Sequence, residues 1–197
     1  MKLLKLYAAT LIAFAVFVCS NPTVAFAAKS EPIQDTANAV FEYPGSNNKN
    51  NVKVSMEVCI DGSAYHTEGF LSSYYCVNGI IRAVENKSAS AGCSWKSVTG
   101  SVYMSSFGIL GGSAEVQAGK ETIGGNASVS TEAISDSDSY SVSSGSAVSF
   151  AADVSAVGFL SCNFGVTYYS QCCNDDFSYV FCTLSDSKEW NLKSLLD

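Results

Sequence analysis

Hydrophobic and polar residues alternate along several stretches of the chain, which is the pattern of strands with one buried face. Residues 52–60 place Val, Met and Ile at every second position, between Lys, Ser, Glu and Cys. Residues 148–156 repeat the alternation with Val, Phe and Ala. Further strands are predicted over residues 70–77, 80–84, 94–103, 127–133, 166–169 and 177–184. The hydrophobic pattern therefore predicts an all-β protein.

Turn-forming residues separate these predicted strands. Asn78-Gly79 lies between two strand-like runs and predicts a hairpin, because both central residues of a type I′ turn need positive φ. Other turns are predicted at residues 61–62, 135–139, 143–145 and 174–176. Because many short strands need a second layer to bury their apolar faces, we expect an antiparallel sandwich-like domain.

The C-terminal end carries a helical signal. Asp186 and Glu189 are three residues apart, which resembles the start of a helix. The apolar residues that follow would share one helix face: Trp190, Leu192, Leu195 and Leu196. A short C-terminal helix is therefore predicted after the last strand.

The N-terminal end predicts export from the cell. Residues 1–27 combine the basic Lys2 and Lys5, an apolar run over residues 6–18 and a small-x-small site at residues 25–27, which is the pattern of a signal peptide. Residues 28–50 are polar and turn-rich, and we interpret them as a flexible N-terminal arm or pro-segment. Residues 51–197 are expected to form a single β-rich, disulfide-stabilised domain. The expected location is secreted and extracellular.

Cysteine usage agrees with an oxidising compartment. Loss of the signal peptide would remove Cys19 and leave an odd number of cysteines, so one thiol would stay unpaired or link two chains into a homodimer. The expected structural disulfides draw on Cys59, Cys76, Cys93, Cys162, Cys172, Cys173 and Cys182. The adjacent Cys172 and Cys173 should bond to different partners, because neighbouring Cα atoms are about 3.8 Å apart. The spacing lacks the paired pattern of a zinc site, so no metal and no cofactor are predicted.

Composition excludes several protein classes. The formal net charge is −7, with 15% charged and 47% hydrophobic residues. Low charge and high apolar content are atypical of a disordered chain. Nucleic acid is not expected as a partner, because its recognition needs a basic surface.

Few residues suggest catalysis, and the chain is not expected to be an enzyme. His66 is the single histidine, and with Glu68 it gives an H-x-E sequence without the cysteine pair that zinc deaminases require. A cysteine–histidine nucleophile involving His66 is a further alternative. A carboxylate-dependent hydrolase, with Glu57, Asp61 or Glu68 in the acid–base roles, is the third functional hypothesis.

More residues are candidates for a binding function than for catalysis. An aromatic surface for protein or carbohydrate would use Tyr74, Tyr75, Trp95, Tyr168 and Tyr169, with Tyr103 as a further member. Weak calcium candidates lie in turn-like stretches at Asp136, Asp138, Asp175 and Asp176. Asn86 and Asn126 begin N-glycosylation triplets, which matter if the producing cell is eukaryotic.

Membrane insertion is an alternative with little support. Residues 148–156 nearly reach the length of a transmembrane strand. Acidic residues would face anionic lipid unfavourably, and between Lys120 and Lys188 the chain has no basic residue. The leading functional hypothesis is a secreted effector or toxin-like protein that binds an extracellular or host surface. The alternative is a structural or adhesive component of a cell surface or matrix.

Overall fold

A computed structural model describes residues 29–45, 51–68, 73–88, 90–118, 121–125 and 133–196. The predicted signal peptide over residues 1–27 and the glycosylation candidate Asn126 lie outside these residues. Within them the chain forms nine strands and one helix. The elements are β1 (Lys29–Pro44), β2 (Asn51–Glu68), β3 (Ser73–Lys87), β4 (Cys93–Trp95), β5 (Val98–Ala118), β6 (Glu121–Gly125), β7 (Ala133–Val142), β8 (Ser146–Asn174), β9 (Val180–Asn191) and α1 (Leu192–Leu196).

All strand pairs are antiparallel, in the order β1-β2-β3-β8-β5-β6, with β4 and β9 on β8 and β7 on β5. The first part of β8 pairs with β3, from Ser146 to Ala156. Its later part pairs with β9, from Asn163 to Cys173. Strand β5 follows β8 along both parts. Two sheets therefore share these long strands: a front sheet built on β1, β2 and β3, and a back sheet that contains β7 and β9.

The long strands bend where they pass from one sheet to the other. The pairing of β5 with β8 shifts register between Phe107 and Gly108 and again between Leu110 and Gly112. In β8 the bend contains Gly158, whose φ is 64°. The rings of Phe150 and Phe164 stack with centroids 5.4 Å apart, although a straight strand would separate these residues by about 45 Å. Strand β8 therefore folds back over itself, and the two sheets face each other as the sandwich prediction requires.

The core fills the space between the sheets. The alternating residues of β2 from Val54 to Ile60 are buried, and so are those of β8 from Phe164 to Tyr168. The hydroxyl of Tyr168 donates a hydrogen bond of 3.2 Å to Asp35 of β1, which links the back sheet to the front sheet. Burial raises the pKa of Tyr168, so this phenol stays a neutral donor.

The prediction of a flexible arm is wrong for residues 29–44, which form strand β1. Strand β1 pairs with β2 along its whole length, from Lys29 opposite His66 to Pro44 opposite Asn51. Ile33 and Ala37 lie in the core. These contacts make β1 part of the front sheet, and proteolytic removal of residues 28–50 stays an untested prediction.

Two predicted turns are also wrong, because Asp61-Gly62 and Asn78-Gly79 lie inside β2 and β3. Gly62 is directly opposite Gly79. A Cβ atom on Gly79 would lie 2.8 Å from Cζ of Phe150, so the missing side chain makes room for that ring in the core. These glycines serve close packing and not chain reversal.

Other predictions near turns have mixed outcomes. Residues 135–139 belong to β7, so the turn predicted there is wrong. The turn at residues 143–145 is confirmed, with Ser146 N–H donating to Ser143 C=O at 3.0 Å. The C-terminal helix is confirmed but begins later than predicted, because β9 continues to Asn191. The Asn191 side chain accepts a hydrogen bond of 2.9 Å from Ser194 N–H, as an N-cap does.

Candidate functional site

Three of the predicted surface aromatics are core residues. Tyr75, Trp95 and Tyr168 are at most 5% exposed, so the proposal that they contact a ligand is wrong. Tyr103 is partly exposed, and its hydroxyl donates a hydrogen bond of 3.0 Å to Glu189 Oε2 of β9.

The remaining two predicted residues also reach the surface: Tyr74 is partly exposed, and Tyr169 is 45% exposed. They lie on the outer faces of different sheets, Tyr74 beside β8 in the front sheet and Tyr169 beside β9 in the back sheet. The predicted aromatic platform is therefore not assembled.

The predicted catalytic carboxylates are not brought together. Glu57 and Asp61 are exposed on the outer face of β2, four residues apart, which separates their Cα atoms by about 13 Å. Glycosidase carboxyl groups lie about 5–9.5 Å apart. Glu68, at the end of β2, has the opposite parity to Asp61 and belongs to the inward-facing row of the strand. The hydrolase hypothesis gains no assembled pair from these residues.

His66 lies in the core, 6% exposed. Its ring stacks on Tyr75, with centroids 4.3 Å apart and an interplanar angle of 4°. Tyr75 in turn meets the edge of Phe159 at 4.9 Å. The histidine therefore packs as one ring of an aromatic row between the sheets.

A shallow cleft of about 290 Å³ lies on the outer face of the front sheet, next to Cys59 and Asp61. Its other lining residues are Gln34, Asp35, Thr36, Ile60, Ile80 and Arg82. Cys59 donates to Glu57 Oε1 at 3.3 Å, and Thr36 Oγ1 lies 3.9 Å from its sulfur. Burial and the bond to Glu57 raise the pKa of Cys59, so this thiol stays protonated and is a poor nucleophile.

The calcium candidates fall into two separate groups. Asp136 and Asp138 lie on β7, where Asp138 is opposite Val102 of β5. Val102 is in turn opposite Val166 of β8. Asp175 follows Val166 by nine residues, which is about 30 Å along a strand, so Asp175 lies far from Asp136 and Asp138. Asp176 Oδ1 instead accepts a hydrogen bond of 3.0 Å from Ser178 N–H. Hydrogen bonds from Ser178 lower the pKa of Asp176, so it serves as a turn-stabilising carboxylate.

Asn86, the described glycosylation candidate, is exposed near the end of β3. Among the described residues, no helix is long and apolar enough to cross a membrane. The apolar side of residues 148–156 contains the buried Phe150, Ala152 and Val154. In this fold that side is therefore occupied by the protein core.

In the part of the chain that the structure describes, no two cysteine sulfurs lie at disulfide distance. Cys93, Cys162, Cys172 and Cys173 are buried, whereas Cys59 and Cys182 are half-buried. The expected disulfides and a disulfide-linked homodimer stay predictions.

An aromatic surface does form, from residues that were not predicted as binding residues: Phe41 and Tyr43 fall in the predicted arm, and Phe177, Tyr179 and Phe181 fall in a predicted strand. Phe41 and Phe181 stack with centroids 4.6 Å apart. Tyr43 extends the row from Phe41 at 5.5 Å, and Tyr179 extends it from Phe181 at 5.3 Å. Phe177 lies two residues before Tyr179. We call Phe41, Tyr43, Phe177, Tyr179 and Phe181 the aromatic end surface.

Large apolar area is exposed on this surface. Phe177 is 52% exposed, Tyr179 63% and Phe181 38%, and Val180 between them is 40% exposed. Phe41 and Tyr43 belong to β1 of the front sheet, Phe177 and Tyr179 to the β8–β9 connection, and Phe181 to β9 of the back sheet. Contiguous exposed apolar patches of this kind mark binding sites more often than isolated exposed side chains do.

The connection between β8 and β9 holds these aromatics in place through Asn174. Its side-chain oxygen accepts a hydrogen bond of 2.8 Å from Tyr179 N–H, and its side-chain nitrogen donates to Ser178 Oγ at 3.0 Å. Phe177 N–H donates to Asn174 C=O at 2.9 Å. A register shift follows, since Cys172 is opposite Cys182 and Cys173 is opposite Val180. Phe181 is the extra residue of this bulge, which aims its ring at Phe41.

Phe177 has a φ of 57°, the one positive value of a non-glycine residue among the described positions. The left-handed region costs an L-residue about 1–2 kcal/mol. An exposed phenyl ring held in a strained turn is typical of a ring that contacts another molecule. Lys96 Nζ lies 5.7 Å from the centre of this ring, a cation–π distance, and 3.5 Å from Gln171 Oε1.

The substitution Phe177→Asn is expected to raise the free energy of unfolding by about 0.5–1 kcal/mol, because asparagine tolerates positive φ better than phenylalanine. Urea unfolding of the variant beside the unmodified protein measures this change. Phe107→Asn is the control, since Phe107 is 40% exposed in a strand with ordinary φ and gains no relief of strain. A Phe177→Asn variant less stable than the parent would show that the ring packs against the fold.

Comparison with known proteins identifies no family. No protein-family model matches the chain. No curated protein matches it either. Among solved structures, the N-terminal domain of PorA is 12% identical, with 62% of this chain and 79% of that chain covered and a TM-score of 0.23. The KRT10-binding region domain of the pneumococcal serine rich repeat protein PsrP is 8% identical, with 80% and 100% covered and a TM-score of 0.25. Both TM-scores are far below 0.5, so neither likeness bears on fold or function.

Proposed function

We propose that the chain is a secreted, disulfide-stabilised binding protein that engages an extracellular protein through the aromatic end surface. The observation that carries the proposal is an aromatic row across both sheets, in which the exposed Tyr179 and Phe181 continue from the half-buried Phe41. The predicted signal peptide supports an extracellular location. Effector or toxin-like action at a host surface is the biological role in which such a small acidic binder would serve.

The residues around the aromatic end surface favour a cationic partner. Asp175 and Asp176 are exposed in the turn next to Phe177. Lys96 is the basic side chain that contacts this surface, over the Phe177 ring. Aromatic faces beside carboxylates attract lysine and arginine side chains by cation–π and ionic contacts. A protein surface that combines basic and apolar side chains therefore fits better than a neutral one.

The preformed geometry favours binding over catalysis. The turn is fixed by the Asn174 hydrogen bonds, and the Phe41–Phe181 stack joins the sheets. Rigid aromatic side chains lose little conformational entropy on binding, which is why they dominate binding energies. Within the described residues, the candidate acids and His66 form no comparable arrangement.

Binding to an array of extracellular proteins, with a glycan array beside it, tests the proposal. The unmodified protein is expected to bind a basic extracellular protein saturably, and Tyr179→Ala should weaken this binding about tenfold, or about 1.4 kcal/mol. Tyr169→Ala is the matched control, because that tyrosine is also exposed but lies on the outer face of the back sheet.

Three results would contradict the proposal. Equal binding by the unmodified protein and Tyr179→Ala would move the site away from the aromatic end surface. Binding confined to glycans would replace the protein partner with a carbohydrate one. Retention in an insoluble matrix fraction without a soluble partner would favour the structural or adhesive alternative.

A further inference from the structure

Three cysteines lie side by side on adjacent strands beneath the aromatic end surface. Cys172 of β8 is directly opposite Cys182 of β9. On the other side of β8, Cys93 of β4 is opposite Asn174, which places it diagonal to Cys172. Burial raises the pKa of the Cys172 thiol, and the neighbouring Cys93 and Cys182 thiols raise it further. Cys172 therefore has two sulfur neighbours and can bond covalently to one of them.

Strand geometry selects between the two neighbours. Directly opposite residues of an antiparallel pair have Cα atoms about 4.5–5.5 Å apart, within the 4.4–6.8 Å span of a disulfide. Diagonal residues are about 7–8 Å apart, beyond that span unless the backbone moves. Cys182 is therefore the partner that needs no movement of the chain.

The remaining cysteines are placed elsewhere. Cys173 projects from the opposite side of β8, opposite Ser94 and Val180. Cys162 precedes Cys172 by ten residues, about 33 Å along the strand. Cys59 and Cys76 belong to the outer face of the front sheet, in β2 and β3. None of these four lies opposite or diagonal to Cys172 in the strand pairing of the described residues.

The geometry points to a Cys172–Cys182 disulfide that clamps the connection between β8 and β9, with Cys93 kept as a buried thiol beside it. The bond would close a loop that contains Phe177, Tyr179 and Phe181, three of the five residues of the aromatic end surface. Clamping the loop reduces the conformational entropy lost on binding, so the oxidised protein is the better binder. This inference rests on the proposed function for its consequence, but the bond itself can be tested without any partner.

Oxidation would proceed from the half-buried thiol inward. The Cys182 thiolate attacks glutathione disulfide, forms a mixed disulfide and releases one glutathione thiolate. The Cys172 thiolate then attacks the Cys182 sulfur, forms the protein disulfide and releases the second glutathione. The two protein thiols lose two protons and two electrons, and one glutathione disulfide becomes two glutathione molecules.

The rate of this oxidation should rise with pH. Burial raises the pKa of Cys182 and of Cys172 above the ordinary value, so both are mostly protonated at neutral pH. Because the thiolate is the attacking species, the rate should increase about tenfold per pH unit from pH 7 to 9.

Disulfide mapping of the full chain tests the assignment. The reduced protein is oxidised in a glutathione buffer, its remaining thiols are alkylated, and chymotryptic peptides are analysed by tandem mass spectrometry. Cleavage after Phe177 and Phe181 separates Cys172 from Cys182, and fragmentation between Cys172 and Cys173 distinguishes the two neighbours. We expect a Cys172–Cys182 cross-link and an alkylated Cys93. A cross-link from Cys172 to any other cysteine, or alkylation of both Cys172 and Cys182, would overturn the assignment.

Variants and exchange measurements then test the clamp. Cys93→Ser should leave the cross-link in place, and Cys59→Ser on the outer face of the front sheet is the control that should also leave it. In the unmodified protein, reduction should speed amide hydrogen exchange of Phe177 and Tyr179 about tenfold. Unchanged exchange would refute the clamp, whatever binding shows. If the protein carries the cross-link but binds no partner, the proposed function is refuted and the disulfide assignment stands.

Discussion

Replacing Phe164 by alanine is expected to lower the free energy of unfolding by about 3–5 kcal/mol. Its side chain is fully buried between Phe150 at 5.4 Å and Trp190 at 5.8 Å. Phe150 lies in the front-sheet part of β8, whereas Trp190 is the penultimate residue of β9, close to the C-terminal helix. Removing the ring would therefore open a cavity where both sheets and the chain end meet, and these rings cannot close it without bending β8.

Urea unfolding, followed by tryptophan fluorescence and by circular dichroism, measures this loss. Phe164→Leu keeps most of the apolar volume and should cost less than half as much. Leu160→Ala is the control in the same strand, because that leucine is 57% exposed and its loss should cost under about 0.5 kcal/mol. Equal losses for Phe164→Ala and Leu160→Ala would mean that the two parts of β8 do not pack together.

Part of this fold could be predicted from the hydrophobic pattern. Strand β2 was recognised because its inward positions are uniformly apolar, from Val52 to Ile60. Strand β1 was missed because its inward row includes Asp35 and two alanines beside Ile33 and Phe41. That row is compatible with a strand only because Tyr168 supplies a hydrogen bond to Asp35 from the other sheet. Such a tertiary partner leaves no local mark on the sequence.

At Gly62 and Gly79 the local sequence predicts turns, whereas the structure has strands. Asn78-Gly79 has the composition of a hairpin turn, and local chemistry alone favours that reading. Its actual role depends on the pairing of Gly62 with Gly79 and on the ring of Phe150, residues far apart in the sequence. Long-range packing overrides the local turn preference in this sheet.

The candidate site was predicted still less well, for a physical reason. An aromatic residue in a strand has the same local pattern whether it packs inside, as Tyr75 does, or outside, as Tyr169 does. The available signal was the alternation of Phe177, Tyr179 and Phe181 directly after the Asp175-Asp176 turn, which is typical of an exposed strand start. Its exposure becomes visible only when β9 is found to pair with β8 and to meet β1 through Phe41.

Replacing Phe181 by alanine is expected to weaken partner binding by at least about thirtyfold, or about 2 kcal/mol. Phe181 occupies the middle of the aromatic row, in contact with Phe41 at 4.6 Å and Tyr179 at 5.3 Å. The substitution removes the contact of Phe181 with the partner and also its packing against Phe41 and Tyr179. The effect should therefore exceed that of Tyr179→Ala, which removes the end of the row.

The matched control is Phe107→Ala, since Phe107 is 40% exposed and Phe181 is 38% exposed. Phe107 lies at the bend of β5, away from β1 and β9 in the strand order. Titration calorimetry with the partner from the array, at one salt concentration, should show unchanged affinity for Phe107→Ala. Unfolding curves for both variants separate lost binding from lost stability. If the two phenylalanines proved equal in binding, exposed apolar area in general, and not the stacked row at this end of the sandwich, would be the source of affinity.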